Sequence, residues 1–213
     1  MDTKGEVAGL LLAAGGGRRL GGRPKALLPF RGRPLVEHAV RILRTGGCGP
    51  VHVVLGAAAA EVRERADLGG CVIVENPHWA GGMGSSLRAG LASLAGAVPR
   101  PDATVIGLVD QPGVGAGTVA RVLAAAHAGD DLVAALVSAM YEGRRGHPVL
   151  IGASRWAGVA AGAGEDRGAR TYLRAHAEQT VLVECGDVGD PADIDTPADL
   201  RLLTAAAQRA RER

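Results

Sequence analysis

The chain has 213 residues, of which 47% are apolar and 22% charged, and this balance predicts one globular domain over residues 1–213. The net charge of +2 argues against a nucleic-acid partner, and no apolar run approaches the roughly 20 residues that span a membrane. Three widely spaced cysteines argue against a zinc site or a disulfide framework. The N-terminus lacks the pattern of a secretion signal, so we expect a cytoplasmic protein.

Short β-branched runs alternate along the chain with longer alanine-rich stretches, which predicts βαβ units around a mainly parallel sheet. The predicted strands, in chain order, are residues 7–12, 51–55, 71–74, 104–109, 132–137, 149–151 and 181–183. The predicted helices are residues 34–44, 57–66, 84–94, 116–128, 167–177 and 197–211. The glycine-rich stretch 156–168 is interpreted as a mobile loop inside the same domain. Thr196 and Asp199 are assigned to capping of the last helix.

A glycine-rich loop follows the first predicted strand, at the strand end where α/β sheets bind ligands. Gly15, Gly16 and Gly17 let backbone N–H groups approach phosphate oxygens, because no Cβ stands in the way. Arg18 and Arg19 add planar donors that suit phosphate. These residues predict a phosphate-binding loop.

Two better-known phosphate loops do not fit this segment. Leu20 occupies the position of the third glycine in the dinucleotide pattern, and Lys25 follows Pro24 instead of standing in P-loop register. The chain contains only one other lysine, Lys4, so a lysine at position 25 points to a specific role. A third kind of nucleotide loop is therefore indicated.

Acidic residues provide a candidate metal site. Asp110 ends the central strand 104–109, on the same side of the sheet as the glycine loop. A second group lies near the C-terminus and consists of Asp187, Asp190, Asp193 and Asp195. Because Mg²⁺ takes one or two carboxylates and leaves its other positions to phosphate and water, these acids predict a magnesium site.

Two N-terminal segments, residues 12–21 and 24–29, resemble the signature of nucleotidyltransferases with a MobA-like domain. The branch that they resemble most is the molybdenum cofactor cytidylyltransferases. The resemblance implies a Rossmann-like three-layer α/β/α sandwich. It implies catalytic roles for Arg18, Lys25 and Asp110, and a nucleotide site formed by Leu12, Ala13, Ala14, Gly15, Gly16, Gly17, Arg18 and Lys25.

Further segments carry the same resemblance. Residues 76–87 imply nucleotide contacts from Ser85 and Ser86 and an acceptor contact from Met83. Residues 146–150 place His147 near the acceptor, and residues 164–170 do the same for Arg170, although the additional acid Glu165 shifts the register around Asp166. Residues 108–112 and 193–200 imply Asp110 and Asp195 as metal ligands, with Asp193 as the alternative to Asp195.

The function that this resemblance implies is transfer of CMP from CTP to the phosphate of molybdopterin, with Mg²⁺ or alternatively Mn²⁺. A recipient molybdoenzyme or its chaperone is an expected partner. Three alternatives stay open. The first is a guanylyltransferase of the same family, which usually has Leu-Ala-Gly-Gly where this chain has Leu-Ala-Ala-Gly. The second is an NAD(P)H-dependent oxidoreductase acting on a pigment-like heterocycle, and the third is a non-catalytic chaperone or regulator that binds nucleotide or cofactor.

Overall fold

A computed structural model describes residues 5–164 and 168–209. Seven strands form one sheet in the order β5-β4-β1-β6-β8-β7-β9, and two short strands, β2 and β3, form a separate hairpin. Strand β8 runs antiparallel to its neighbours, and the other neighbouring strands of the large sheet are parallel. The strands are β1 (Val7–Leu12), β2 (Pro29–Phe30), β3 (Arg33–Pro34), β4 (Val51–Leu55), β5 (Cys71–Glu75), β6 (Ala103–Leu108), β7 (Leu136–Tyr141), β8 (Arg144–Gly152) and β9 (Val181–Glu184).

Helices cover both faces of the sheet and give a three-layer sandwich. They are α1 (Leu35–Thr45), α2 (Ala59–Arg65), α3 (Met83–Ala95), α4 (Ala116–His127), α5 (Trp156–Gly162), α6 (Arg170–Ala175) and α7 (Arg201–Arg209). Side chains of the central strands alternate between two apolar cores. Leu11 points into the core beneath α1 and α4, whereas Leu10 points into the core beneath α3 and α5. The predicted fold class is confirmed.

The predicted elements up to residue 128 match the structure closely. Strands β1 and β4 have the predicted bounds, the predicted helix 84–94 is one residue shorter than α3 at each end, and the predicted helix 116–128 is one residue longer than α4 at its C-terminal end. The turn Pro197–Leu200 that leads into α7 carries the predicted capping box of Thr196 and Asp199. No described helix is long and apolar enough to cross a membrane.

Two predictions for the C-terminal half are wrong. The predicted strand 132–137 begins with a 3-10 turn, Leu132–Ala134, because the Asp131 carboxylate accepts hydrogen bonds from the N–H groups of Val133 and Ala134. The strand itself is β7, displaced towards the C-terminus. Much of the predicted loop 156–168 is helix α5, whose buried Trp156 and Val159 pack into the core beneath α3.

The carboxyl ends of the central strands β1 and β6 lie side by side at one edge of the sheet. The two strands are parallel neighbours in register, with Leu12 opposite Leu108. The Val109 N–H continues this pairing by donating to the Leu12 carbonyl at 3.2 Å. The glycine loop after β1 and Asp110 after β6 therefore leave the sheet side by side, as parallel strands require.

Candidate active site

Lys25 lies between two carboxylates at this edge of the sheet. Its Nζ is 2.6 Å from Asp110 Oδ2 and 2.7 Å from Asp195 Oδ1. These are short, charge-assisted hydrogen bonds. The side chains of Lys25, Asp110 and Asp195 are 15%, 20% and 35% exposed, so the cluster is partly shielded from bulk water but still accessible to it. The structure thus brings together three residues that the sequence predicts for the site.

Backbone contacts hold the C-terminal acidic segment against β6. The Ile194 N–H donates to the Asp110 carbonyl at 2.9 Å, and the Ile194 side chain is fully buried in the core. The Gln111 amide donates to the Pro191 carbonyl at 3.0 Å and to Asp193 Oδ1 at 2.8 Å. Residues on either side of Ile194 therefore face different partners: Asp193 faces Gln111, and Asp195 faces Lys25.

The capping box fixes the backbone on the other side of Asp195. Asp199 Oδ2 accepts hydrogen bonds from the N–H groups of Thr196, at 2.8 Å, and of Asp195, at 3.2 Å. The capping box at the turn that leads into α7 thereby also restrains Asp195, the residue before the cap. Thr196 and Asp199 contribute to the site by holding Asp195, in agreement with the prediction that they cap the helix.

The glycine loop is shaped by Gly17, which has a left-handed φ of 61°. Its carbonyl accepts hydrogen bonds from Leu20, at 2.8 Å, and from Gly22, at 3.1 Å, and this closes a tight 3-10 turn over Arg18–Leu20. Gly15 is exposed and Gly16 is half-buried. The loop thus presents backbone to solvent next to the acidic cluster.

The other predicted nucleotide-binding residues divide into a buried group and an exposed group. Leu12, Ala13 and Ala14 are buried beneath the loop. Arg18 and Arg19 are exposed, and Arg19 Nη2 lies 3.1 Å from Asp195 Oδ2. Of these two arginines, Arg19 joins the cluster through an ion pair, and the role of Arg18 at the triphosphate stays a prediction.

Charge dominates the titration of the cluster. Burial acts to lower the pKa of Lys25, but the nearby carboxylates of Asp110 and Asp195 outweigh it, and the pKa is raised. The hydrogen bond from Lys25 is the main reason that the pKa of Asp195 is lowered, and Arg19 adds to this effect. Lys25 is therefore a cation and Asp195 an anion at neutral pH.

Ser85 and Ser86 lie at the start of α3 in a buried hydrogen-bond network centred on Asn76. The Asn76 amide donates to Ser85 Oγ at 2.9 Å and to Ser86 Oγ at 3.1 Å. The single hydrogen of the Ser85 hydroxyl can be donated to the carbonyl of His78 or to that of Gly82, both 2.9 Å from Oγ. Both hydroxyls thus hold the loop before α3 in place. Their contact with nucleotide stays a prediction. A nucleotide that bonded to these hydroxyls would have to replace hydrogen bonds of this network.

The predicted acceptor residues lie around α3 and β8. The Met83 sulfur lies against Gly168, and His147 precedes the buried half of β8. Desolvation lowers the pKa of His147 to about 4, and the positive charge of Arg170 adds to the shift. His147 and Arg170 are therefore electrostatic neighbours, with a neutral imidazole at pH 7. Glu165 and Asp166, and the predicted start of the helix 167–177, lie outside the described residues.

Two residues of this region, Gln111 and Asn76, have no predicted role. Arg19 is predicted as a phosphate donor of the loop, but its ion pair with Asp195 is not predicted. In the sequence, the position of Gln111 directly after Asp110 is the only indication that Gln111 has a role at the site. No group of three or more metal-binding side chains lies together among residues 5–164 and 168–209. A divalent cation bound by Asp110 and Asp195 would take its remaining ligands from phosphate or water.

The doubly wound sheet, the glycine loop and the Lys25–Asp110–Asp195 cluster define an α/β protein of the nucleotidyltransferase class. A family model for the MobA-like NTP transferase domain matches residues 9–180. The chain belongs to the MobA-like NTP transferase family.

Known proteins of similar sequence carry different names. Nicotine blue oxidoreductase from Paenarthrobacter nicotinovorans is 43% identical over 205 residues, which cover 92% of this chain and 96% of that protein. A molybdenum cofactor guanylyltransferase from Pseudomonas putida is 44% identical over 43 residues, which are 20% of this chain and 22% of that protein. Sequence similarity therefore extends to relatives with two different kinds of activity.

Solved structures with the same fold include proteins from mycobacteria. A homologue of Mycobacterium tuberculosis Rv0371c, from Mycobacterium sp. strain JC1, matches with a TM-score of 0.79 and 31% identity, covering 95% of this chain and 98% of that one. Rv0371c itself, in complex with manganese, matches with a TM-score of 0.69 and 28% identity, covering 93% and 97%. A structure of a similar protein thus contains manganese.

Proposed function

We propose that this protein is a metal-dependent nucleotidyltransferase that transfers CMP from CTP to the terminal phosphate of molybdopterin. The observation that carries the proposal is the cluster of Lys25, Asp110 and Asp195 next to the exposed backbone of the glycine loop. An ammonium and two carboxylates beside a loop that can bind phosphate are suited to a transfer reaction between phosphate groups. Such reactions depend on positioned charge more than on covalent catalysis.

In the proposed reaction, an oxygen of the acceptor phosphate attacks the α-phosphorus of CTP. The bond from the α-phosphorus to the bridging oxygen breaks, and pyrophosphate leaves. The backbone of Gly15 and Gly16 would bind the triphosphate, and Lys25 would neutralise charge at the α-phosphate. The attacking phosphate oxygen is already an anion, so the reaction requires no general base from the protein.

Asp110 and Asp195 fit a divalent cation. They supply hard carboxylate oxygens, are partly exposed, and leave room for phosphate and water in the remaining positions. Mg²⁺ or Mn²⁺ held there would supply charge neutralisation for the triphosphate and for the departing pyrophosphate. The manganese complex of the similar mycobacterial protein supports this assignment.

The choice of CTP and molybdopterin depends on similarity. Ala14 is the residue that favours the cytidyl branch over the guanylyl branch. The short match to a molybdenum cofactor guanylyltransferase supports a molybdopterin-type acceptor, with Met83, His147 and Arg170 on the acceptor side. A recipient molybdoenzyme or its chaperone would be the partner that takes up the product.

Pyrophosphate release tests the proposal. The purified protein would be incubated with Mg²⁺ and with CTP, GTP or ATP in turn, with and without molybdopterin. We expect release with CTP that depends on molybdopterin, and no release from the Lys25→Ala and Asp110→Ala variants, which should remain folded. No release with any nucleotide, or full activity in either variant, would contradict the proposal.

A second candidate function is reduction of a pigment-like heterocycle by NAD(P)H. The 43% identity to nicotine blue oxidoreductase over nearly the whole chain favours it. Against it stands the glycine loop, which departs from the dinucleotide pattern at Leu20. Oxidation of NAD(P)H in the presence of the heterocycle and EDTA, followed by the absorbance of the reduced nicotinamide, would replace the first proposal with this one if the same preparation released no pyrophosphate.

A further inference from the structure

We propose that Lys25 acts as an exchangeable internal cation that excludes the divalent metal from Asp110 and Asp195 until nucleotide binds. This inference depends on the proposed metal site but not on which nucleotide or acceptor is used. It assigns Lys25 a role before the reaction, namely to set the order in which metal and nucleotide bind.

The contacts of the cluster carry this inference. The Lys25 ammonium donates to Asp110 Oδ2 and to Asp195 Oδ1 and so bridges the two proposed metal ligands. Arg19 lies 3.1 Å from the other carboxylate oxygen of Asp195. Both oxygens of Asp195 and one oxygen of Asp110 are thus paired with cationic side chains of the glycine-loop region.

A metal ion that used the same oxygens would have to displace this ammonium. If Lys25 stayed in place, the ammonium and the metal would be like charges a few ångströms apart in a partly shielded site, which is strongly unfavourable. The metal alone offers Lys25 no substitute for the two carboxylates it would lose. Metal binding without nucleotide is therefore expected to be weak.

A triphosphate removes this obstacle, because it offers Lys25 and Arg19 new anionic partners. Both side chains extend from the segment that includes the proposed triphosphate-binding loop, and Lys25 lies on a short 3-10 turn directly after Pro24. An ammonium on a four-carbon stem can exchange partners without backbone movement. Transfer of Lys25 from carboxylate to phosphate would release the oxygens of Asp110 and Asp195 for the metal.

Binding of Mn²⁺ to the nucleotide-free protein tests the inference without measuring the reaction. Titrations followed by electron paramagnetic resonance would measure the concentration of free Mn²⁺ in the presence of the wild-type protein, and then of the Lys25→Met and Lys25→Arg variants. We expect weak binding by the wild type and by Lys25→Arg, which keeps a cation. We expect Lys25→Met to bind Mn²⁺ at least about tenfold more tightly.

Two further variants show where the gained binding occurs. Arg63→Met removes the same positive charge from an exposed pair with Glu75 and should leave Mn²⁺ binding unchanged. The double variant Lys25→Met/Asp110→Asn should lose the gained binding. Circular dichroism of each variant establishes that it is folded, and Lys25→Gln replaces Lys25→Met if the latter does not fold.

Equal Mn²⁺ affinity in the wild type and in the folded uncharged variants would overturn the inference, as would an equal gain in Arg63→Met. These outcomes are separate from failure of the proposed function. A protein that releases no pyrophosphate can still show the gain in Mn²⁺ binding, and an active transferase can lack it.

Discussion

Asp193 and Asp195 lie two residues apart beside the end of β6, but they contact different side chains. Asp195 contacts Lys25 and Arg19, whereas Asp193, two residues earlier, accepts a hydrogen bond from Gln111. Alternation along an extended segment would place both carboxylates on the face opposite the buried Ile194, so it is their different partners that distinguish them. The structure therefore favours Asp195 over Asp193 as the second proposed metal ligand.

Asparagine substitutions should separate these two roles. Asp195→Asn removes the anion that faces Lys25, and we expect pyrophosphate release to fall by about 100-fold or more. Asp193→Asn keeps an oxygen that accepts from Gln111, so we expect activity within about threefold of the wild type. Steady-state pyrophosphate assays on both folded variants would measure this difference, and the reverse order of activities would reassign the ligand.

The sequence predicted Lys25, Asp110 and Asp195, and the structure places them in contact. Each stands at a position that local pattern marks: an isolated lysine after a proline, an acid at a strand end, and an acid before a helix cap. Gln111, Asn76 and the ion pair of Arg19 were not predicted, because their roles depend on segments that are distant in sequence. The contact between Gln111 and Asp193, for example, joins residues 82 positions apart.

At the scale of elements, the glycine loop depends on one position that requires glycine. A Cβ on Gly17 would overlap the carbonyl oxygen of Arg23, and its φ of 61° is also unfavourable for other residues. A Cβ on Gly15 would meet no other atom within 4 Å, and its φ lies outside the left-handed range. The two glycines of one loop thus have different structural requirements.

Alanine at these two positions is a matched comparison. Gly17→Ala should lower the free energy of unfolding by about 1–3 kcal/mol and displace the turn that leads to Lys25. Gly15→Ala should change the free energy of unfolding by less than about 0.5 kcal/mol. Urea denaturation followed by circular dichroism would measure both, and equal losses of stability would contradict the role assigned to Gly17.

Errors in the predicted elements have local physical causes. Helix α5 was missed because Gly158 and Gly162 lower its helix propensity, while burial of Trp156 and Val159 stabilises it in the folded chain. The start of β7 was misplaced because the apolar residues after Asp131 form a capped turn. Strands β1, β4 and β6 are predicted to within a residue because their continuous apolar runs leave little ambiguity, whereas β8 begins five residues before the predicted strand 149–151.

At the scale of the whole molecule, buried histidines make stability depend on pH. His38 is 8% exposed, and desolvation, with the charges of Arg41 and Arg31, lowers its pKa from 6.5 to about 4. The unfolded chain therefore binds a proton more readily than the folded one between these two values. Stability contributed by the neutral imidazole is complete above pH 6.5 and is lost as the pH falls towards 4.

Replacement of His38 should flatten this dependence. We expect the wild type to lose on the order of 3 kcal/mol of stability through His38 between pH 7 and pH 4. The His38→Gln variant lacks this contribution, so its free energy of unfolding should fall less over the same interval. Urea denaturation at a series of pH values would provide both curves, and parallel curves would show that His38 does not titrate in this way.

The cluster joins residues from opposite ends of the chain: Lys25 and Asp195 are 170 positions apart. During translation, the loop with Lys25 leaves the ribosome long before the segment that carries Asp195 is made. A nascent chain can therefore pair the early strands of the sheet while its charge centre is still incomplete. Proteolytic or prematurely terminated fragments that end before residue 195 should likewise lack the centre, so its assembly shows that the polypeptide has been made at least as far as residue 195.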